Sequence, residues 1–113
     1  MSDCLFCAIV AGDIPSTKVL ETDLVLAFRD IAPQAPTHVV VVPKQHFADT
    51  YDIAHKDPAL LGELFKSATD VAVQEELTGG YRLITNTGPD SGQTVFHVHV
   101  HVLGGRNLMG LAG

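Results

Sequence analysis

The stretch HVHVHVLGGR, residues 97–106, carries three histidines that alternate with three valines. Successive side chains of a β-strand point to opposite faces, so this alternation puts the three imidazoles on one face and the valines on the other. Half of the six histidines of the chain lie here, which argues against a chance arrangement on an exposed strand. The pattern predicts a strand with one core-facing side and one side that carries chemistry.

The spacing of these histidines, which we name the histidine row (His97, His99 and His101), limits what they can do. A single metal ion could be held by a His-x-His pair. However, a strand rises ~3.3 Å per residue, so His97 and His101 are ~13 Å apart, whereas metal–nitrogen bonds measure about 2.0–2.1 Å. A neutral imidazole is a good nucleophile, and a cationic neighbour can donate to a phosphate. The row is expected to divide these tasks, which suits nucleotidyl transfer.

The segment before the row, residues 86–94, is small, polar and rich in turn residues. Its backbone N–H groups, the amides of Asn86 and Gln93 and the hydroxyl of Thr94 could hold anionic oxygens without adding charge. An ordinary connecting loop has a similar composition. The position directly before the histidine row favours a phosphate-binding function.

The rest of the sequence predicts an α+β fold with a largely antiparallel five-stranded sheet. Five runs have the composition of strands, and they are residues 18–20, 24–29, 39–42, 81–85 and 95–103. The first two are predicted to form an antiparallel hairpin joined at Thr22-Asp23. Residues 39–42 are all valine and are closed by Pro43, which predicts a central strand that is apolar on both faces.

Two helices are predicted, one short and one long. The short helix ends at Gly12 and has Ser2 or Asp3 as its N-cap. The long helix begins at Asp57-Pro58, continues with apolar residues at helical spacing, and is ended by Gly79-Gly80. One long helix leaves a sheet face and an edge to be covered, so we expect a homodimer.

Length and composition set the class of protein. A chain of 113 residues predicts one domain, residues 1–113. Seven Lys and Arg residues against thirteen Asp and Glu residues give a net charge of -6, which argues against nucleic acid as a partner. The longest apolar run, residues 39–42, is too short to span a bilayer, and the first residues do not resemble a secretory leader. We therefore expect no membrane association and a cytoplasmic location.

The stretch 97–106 resembles the signature of the histidine triad nucleotide-binding family, and Gly104-Gly105-Arg106 resembles its Hint branch. The resemblance extends over nearly the whole chain, through Phe6, Ile14-Pro15, residues 28–31, residues 35–38, residues 42–44, His46 and residues 92–94. It implies an α+β homodimer in which the two five-stranded sheets join. It also implies an enzyme that splits purine nucleoside phosphoramidates or acyl nucleotides to a nucleoside monophosphate.

The resemblance assigns roles residue by residue. His99 matches the nucleophile that attacks the α-phosphorus, and His101 matches the contact to the phosphate and departing group. His38 matches a fourth histidine that supports the row through a hydrogen-bonded relay, and Asp30 matches the carboxylate that binds ribose hydroxyls. The phosphate-side positions are Asn86, Gly92, Gln93 and Thr94, and the apolar base slot is Leu5, Phe6, Ile9, Ile14, Phe28, Ile31 and Val40. Each apolar residue of the slot has plain core packing as its alternative.

The expected mechanism has two steps. Neutral His99 attacks phosphorus, the amine leaves once it is protonated, and water then releases the nucleotide from phosphohistidine. Backbone donors near residues 92–94 and cationic character on the neighbouring histidines should stabilise the charge on the phosphoryl oxygens. No carboxylate cluster suited to Mg²⁺ is evident in the sequence, so we expect no Mg²⁺ requirement.

Cys4 and Cys7 form a Cys-x-x-Cys pair at the start of the chain. A thioredoxin-like redox function fits poorly, because only three residues precede Cys4 and no strand fits before it. Some bacterial histidine triad proteins carry a structural zinc on such a pair and two histidines, which correspond here to His46 and His97. The resemblance therefore implies a Cys₂His₂ zinc site, with two half-buried thiols and no metal as the alternative.

Two other functions have sequence features against them. A nucleotide-binding adaptor that does not turn over substrate has no need of the complete set of His38 and the histidine row. A dinucleoside polyphosphate hydrolase of the same superfamily is disfavoured by resemblance alone, through Gly104-Gly105-Arg106. The chain departs from the Hint branch at residues 108–113, where an aromatic residue and two prolines are common. This departure concerns the selection of the leaving amine.

Overall fold

The protein, seen here in a computed structural model that describes residues 4–110, is an α+β fold with one antiparallel sheet. The helices are α1 (Leu5–Ala11), α2 (Thr50–Lys56) and α3 (Pro58–Gln74), with a 3₁₀ turn at Pro89–Ser91. The strands are β1 (Lys18–Glu21), β2 (Val25–Arg29), β3 (Thr37–Pro43), β4 (Tyr81–Ile84) and β5 (Val100–Gly104). The fold class predicted from the sequence is confirmed.

The sheet has the strand order β1-β2-β3-β5-β4, and every neighbouring pair is antiparallel. The all-valine run lies in β3, at the centre of the sheet, as predicted. Val40 is opposite Phe28 on β2 and opposite His101 on β5. This register brings the histidine row next to the apolar side chains of β2 and β3.

The two faces of the sheet have separate apolar clusters. Val39 and Val41 belong to the larger cluster, which includes Leu64 and Val71 of α3. Val40 and Val42 belong to a smaller cluster on the opposite face. The smaller cluster is Phe6, Ile9, Leu26, Phe28, Val40 and Val42, and it brings α1 onto the sheet. The central strand is thus apolar on both faces, as its composition indicated.

The cap of α1 differs from the prediction. Ser2 and Asp3 lie outside the described residues, and the helix begins at Leu5 with Cys4 as its N-cap. The Cys4 sulfur accepts the backbone N–H of Cys7 at 3.3 Å. Gly12 ends the helix in the left-handed conformation, as predicted, with φ of 84°.

The end of α3 was predicted too late in the chain. Asp57 caps its first turn as expected, by accepting the N–H of Leu60 at 3.1 Å. The helix stops at Gln74, several residues before Gly79-Gly80. The helix ends where Glu76 takes the left-handed conformation, with φ of 58°, and the N–H of Leu77 donates to the Ala72 carbonyl at 3.0 Å. Glu75 also pairs with Arg29 of β2 at 2.6 Å.

Helix α2 was not predicted. Asp49 caps it by accepting the N–H of Asp52 at 2.9 Å, and Ile53 is its one buried residue. A seven-residue helix with one buried side chain gives no helical periodicity that a sequence pattern could detect. In the part of the chain that is described, no helix has both the length and the apolar character needed to cross a membrane.

Candidate active site and metal cluster

The histidine row begins before β5. The predicted strand at residues 95–103 is paired only from Val100 onward, so His101 lies in the ladder while His97 and His99 precede it. The alternation nevertheless holds, because Val98, Val100 and Val102 are all in the cluster under α3. The three imidazoles face the other way, with ring centroids of His99 and His101 5.0 Å apart.

His99 is held in one tautomer by a backbone group. Its Nδ1 is 2.7 Å from the carbonyl oxygen of His97, which can only accept, so Nδ1 carries the proton. The second ring nitrogen, Nε2, then has a lone pair. The residue is only 8% exposed, and its ring packs edge-on against Phe6, with centroids 4.9 Å apart. Packing and hydrogen bonding thus present a neutral, oriented imidazole.

His38 and His101 form a hydrogen-bonded relay. The backbone N–H of Gln34 donates to Nδ1 of His38 at 3.0 Å, so the His38 proton is on Nε2. That Nε2 is 2.8 Å from Nδ1 of His101, which accepts and leaves the His101 proton on its own Nε2. Asp30 lies 3.4 Å from Nε2 of His38. The His38 nitrogen nearest Asp30 therefore carries a proton, and it has no lone pair to offer a metal ion.

Burial keeps these imidazoles uncharged at neutral pH. It lowers the pKa of His38 and of His99, and it lowers the pKa of His97 and of His101 to about 4. The Asp30 carboxylate acts in the opposite direction on the pKa of His38, His99 and His101, but it does not outweigh burial. The cationic character expected on the neighbouring histidines is therefore absent from this row.

A cavity of about 680 Å³ opens beside the row and is lined by His99 and His101. The residues that the resemblance assigned to substrate all line it, and they are Leu5, Phe6, Ile9, Ile14, Phe28, Asp30, Ile31, Val40, Asn86, Gly92, Gln93 and Thr94. Five lining residues had not been assigned, and they are Pro15, Ser16, Thr17, Arg29 and Val95. Ser16 and Thr17 follow Pro15 just before β1. Their two adjacent hydroxyls are the sequence feature from which a place in the site could have been predicted.

The apolar lining residues are of two kinds: some are buried in the core and others are exposed at the rim of the cavity. Phe6, Ile9, Phe28 and Val40 are buried in the smaller apolar cluster, so they form the floor of the cavity. Leu5, Ile14 and Ile31 are exposed, and Ile31 is fully so. Exposed aliphatic side chains around a cavity favour an apolar, flat ligand group over a purely structural role.

Several backbone donors of the loop of residues 86–94 form hydrogen bonds within the loop itself. The N–H groups of Ser91 and Gln93 donate to the Gly88 carbonyl at 3.2 and 3.3 Å, and that of Gly92 donates to the Pro89 carbonyl at 3.0 Å. Gly92 has φ of 97°, a conformation that favours glycine. The broad backbone cradle expected from the sequence is therefore smaller than predicted.

Two residues of the loop keep donors for a ligand. Asn86 uses its amide nitrogen once, toward the Ser91 carbonyl at 3.0 Å, and so has a second N–H to offer. Within residues 4–110, neither the N–H nor the hydroxyl of Thr94 takes part in a hydrogen bond, and this residue is exposed. Asn86 and Thr94 are the neutral donors that this loop presents to an anion in the cavity.

The four residues of the expected metal site come together. The sulfur of Cys4 is 3.3 Å from Nδ1 of His97, and that of Cys7 is 3.4 Å from Nδ1 of His97 and of His46. All four donor atoms lie within 4.8 Å of one another. Residues 4, 7, 46 and 97 are thus collected from three separate parts of the chain, and we name them the Cys/His cluster.

The chemistry of this cluster fits a metal ion. Nε2 of His97 is 2.8 Å from the Pro43 carbonyl, so Nε2 carries the proton and the lone pair of Nδ1 faces the two sulfurs. His97 is fully buried and does not line the cavity, whereas His46 is exposed. Two thiols with two imidazoles are a donor set for tetrahedral Zn²⁺. The structure brings His97 to the cluster and His99 and His101 to the cavity.

Comparison with known proteins identifies the family. The family model described as HIT domain matches residues 11–108. A purine nucleoside phosphoramidase from Escherichia coli is 44% identical over 105 residues, covering 92% of this chain and 88% of that one. A 14 kDa zinc-binding protein from Brassica juncea is 44% identical over 108 residues, covering 94% and 96%. The chain belongs to the HIT domain family.

The similarity extends to solved structures. A HIT family hydrolase from Clostridium thermocellum superposes with a TM-score of 0.94 at 41% identity, covering 99% of this chain and 98% of that one. A histidine triad nucleotide-binding protein from Candida albicans has a TM-score of 0.82 at 33% identity, covering 88% and 73%. The family resemblance stated from the sequence is thereby confirmed.

Proposed function

We propose that the protein is a nucleotide-binding hydrolase that cleaves purine nucleoside phosphoramidates or acyl nucleotides to a nucleoside monophosphate. The observation that carries this proposal is the single hydrogen bond from Nδ1 of His99 to the His97 carbonyl. It leaves Nε2 as a neutral nucleophile in a residue that lines the cavity. Similarity to the E. coli purine nucleoside phosphoramidase supports the substrate class.

The proposed reaction passes through a nucleotidyl–histidine intermediate. Nε2 of His99 forms a bond to the α-phosphorus while the bond from phosphorus to the leaving group breaks. Nε2 of His101 donates a hydrogen bond to the departing nitrogen, which takes a proton from solvent and leaves as the neutral amine, while Nδ1 of His101 accepts from His38 at 2.8 Å. Water then attacks phosphorus and loses a proton to solvent, which releases the nucleotide and restores neutral His99. The His97 carbonyl stabilises the positive charge that His99 carries in the intermediate.

The remaining lining residues are assigned to the parts of a nucleotide. We assign Asp30 to the ribose hydroxyls and the donors of Asn86 and Thr94 to the phosphate. The base is assigned to the apolar slot, between the buried floor and the exposed rim of Leu5, Ile14 and Ile31. Such a slot binds a purine through its faces and leaves the choice of purine to other groups.

The charges of the cavity favour this reaction over dinucleoside polyphosphate hydrolysis. The two lining histidines are uncharged at neutral pH, and the charged side chains in the lining, within residues 4–110, are those of Arg29 and Asp30. Arg29 is paired with Glu75 through two hydrogen bonds of 2.6 and 3.1 Å. A polyphosphate leaving group brings several negative charges, and in the described part of the chain the lining offers no unpaired cation to balance them. A phosphoramidate brings one, which neutral donors can accommodate.

Replacing the nucleophile tests the proposal. We expect His99→Gly to lower kcat for adenosine 5′-phosphoramidate by roughly 10³-fold or more, because no other group forms the covalent intermediate. The affinity for AMP, measured by calorimetry, should change only a few-fold. His55→Gly, which changes an exposed histidine on α2, is the matched control and should keep full activity. Turnover retained by the His99 variant, or an adduct found on another residue by mass spectrometry of quenched reactions, would refute the mechanism.

We also propose that the Cys/His cluster binds a structural zinc ion. The support is its donor set, the proton on Nε2 of His97 and the similarity to a zinc-binding protein of Brassica juncea. The ion would be held by Cys4, Cys7, His46 and His97. It would cross-link α1 to the sheet and would take no part in the reaction of the substrate.

A homodimer and a cytoplasmic location complete the proposal. Strand β4 is an edge of the sheet, and Tyr81 on it and Val73 on α3 are exposed. An exposed sheet edge with apolar neighbours is typical of a subunit interface. Sedimentation velocity at micromolar concentration distinguishes a dimer of the 12.1 kDa chain from a monomer.

A further inference from the structure

Gln93 has its hydrogen-bonding groups committed to the protein. Its side chain is almost completely buried, with 4% of the residue exposed. The amide nitrogen donates to the Ala48 carbonyl at 2.8 Å and to the Val95 carbonyl at 3.1 Å. The amide oxygen accepts the N–H of Gly88 at 2.8 Å. Both N–H bonds of the amide are used, so this side chain has none left to donate to a phosphate.

The bond to Ala48 connects the phosphate-side loop to the Cys/His cluster. Ala48 follows His46, a member of the cluster, by only two residues. Between them, the Phe47 carbonyl accepts the N–H of Val98 at 2.7 Å, next to the second cluster histidine, His97. The segment of residues 46–48 is therefore tied to the cluster at one end and to Gln93 at the other.

The other end of the Gln93 amide holds the turn of the loop. Gly88, whose N–H bonds to the amide oxygen, is also the residue whose carbonyl accepts from Ser91 and from Gln93 itself. The loop has one further tie to this region, between the hydroxyls of Thr50 and Thr87. That tie is at the surface, where water competes for both hydroxyls. The buried amide is the stronger connection.

We propose that Gln93 is a positioning residue that couples the Cys/His cluster to the loop of residues 86–94, so that the metal bound by the cluster keeps the phosphate-side donors in place. Order at His46 fixes the carbonyl of Ala48, and Gln93 transmits this order to Gly88. Asn86 and Thr94 belong to the same loop, so their donors depend on it. The proposal deepens the proposed function, on which it rests for the role of the loop.

Hydrogen–deuterium exchange tests this coupling without substrate. The wild-type protein is measured after loading with zinc and after removal of zinc by a chelator, and exchange is followed in the peptide that covers residues 86–94. We expect removal of the metal to speed exchange in this peptide about tenfold or more, because opening of the loop becomes easier. Exchange in the β2–β3 peptide should change much less.

Two variants of similar design separate coupling from a general loss of structure. Gln93→Met keeps the length of the side chain and removes its hydrogen bonds, so loop exchange should be fast with or without zinc. Gln74→Met removes the bond of another glutamine, which donates to the Val19 carbonyl at 2.7 Å on β1, and should keep the zinc dependence of the wild type. Gln93→Glu keeps only the acceptor for Gly88, and its loop exchange should resemble that of Gln93→Met at neutral pH. It replaces Gln93→Met in the experiment if that variant does not fold.

The outcomes decide between the alternatives. Equal loop exchange in the two wild-type samples would overturn the proposal, as would a zinc effect of unchanged size in the Gln93 variants, or a wild type that binds no metal. A zinc effect that is present in the wild type and in Gln74→Met, but lost in the Gln93 variants, supports it. Since no turnover is measured, failure of the proposed phosphoramidase activity would leave this result unaffected.

Discussion

At the scale of single residues, the chemistry of the imidazoles depends on which ring nitrogen carries the proton, and backbone groups decide this. The His97 carbonyl places the proton of His99 on Nδ1, and the Gln34 N–H places that of His38 on Nε2. The Pro43 carbonyl places that of His97 on Nε2. One ring thereby has the free nitrogen that the proposed nucleophile needs, one donates in a relay and one turns a lone pair toward the two thiols, although all are the same residue type.

The partly buried His101 predicts a pH dependence of stability. Burial, followed by the neighbouring His99 and His38, lowers its pKa to about 4, against about 6.5 in an unfolded chain. Between these values the unfolded chain binds a proton that the folded protein does not. The free energy of unfolding therefore rises with pH from about 4 to about 6.5, and this contribution, on the order of 3 kcal/mol, is lost as the pH falls through that range.

Urea unfolding at several pH values measures this contribution. We expect His101→Asn to have a smaller slope of unfolding free energy against pH between 4 and 6.5 than the wild type. The exposed His55, changed to Asn, is the control and should keep the wild-type slope. A His101 variant with the same slope would contradict the predicted effect of burial.

At the scale of elements, the end of β5 explains why two glycines follow the row. A Cβ on Gly104 would lie 2.7 Å from the Leu77 side chain, which packs directly over it. Gly105 has φ of 93°, and a Cβ there would lie 2.9 Å from Pro36. The glycines let β5 turn closely over the segment that enters β3. The sequence feature that resembled the Hint branch is thus a packing requirement of the sheet.

Two glycine substitutions should therefore act in opposite directions. Gly105→Ala combines an unfavourable backbone angle with a steric contact and should lower the free energy of unfolding by about 1–3 kcal/mol. Gly62→Ala lies in α3, where nothing approaches the new Cβ within 4 Å, and should raise it by about 0.5–1 kcal/mol. Urea unfolding of both variants measures these changes. A neutral or stabilising Gly105→Ala would show that the turn does not need glycine.

At the scale of the whole molecule, α1 joins the two sites. Its start carries Cys4 and Cys7 of the Cys/His cluster, and its buried face places Phe6 and Ile9 in the cavity floor. A seven-residue helix has little stability of its own, so its place on the sheet depends on these contacts. A metal in the cluster would stabilise the helix and, through it, one wall of the cavity.

Metal removal should therefore lower the stability of the entire protein. We expect about one zinc per chain by elemental analysis, and a Tm that falls by several degrees on chelation, because the ion binds the folded state preferentially. Cys4→Ser/Cys7→Ser should contain no zinc and have a Tm that a chelator does not change. Wild-type protein purified without zinc, whose Tm does not respond when zinc is added, would argue against a structural metal.

Most of the fold followed from local patterns. The period-two alternation predicted the two faces of the histidine row, and the valine run predicted the central strand, because both depend only on how neighbouring side chains project. The cap at Asp57-Pro58 and the stop at Gly12 are also local signals. The end of α3 was missed because Glu76, and not a glycine, takes the left-handed conformation that ends the helix. Helix α2 buries one residue and gave no pattern.

The sequence by itself determined the fold class, the family and the residues that gather at the site. Only the tertiary structure decided how those residues divide their tasks. It separated His97 from the cavity, engaged the Gln93 amide within the protein and lowered the pKa of the row. The reason is that protonation and hydrogen-bond partners depend on burial and on groups that meet only after folding, whereas strand and helix patterns depend on adjacent residues.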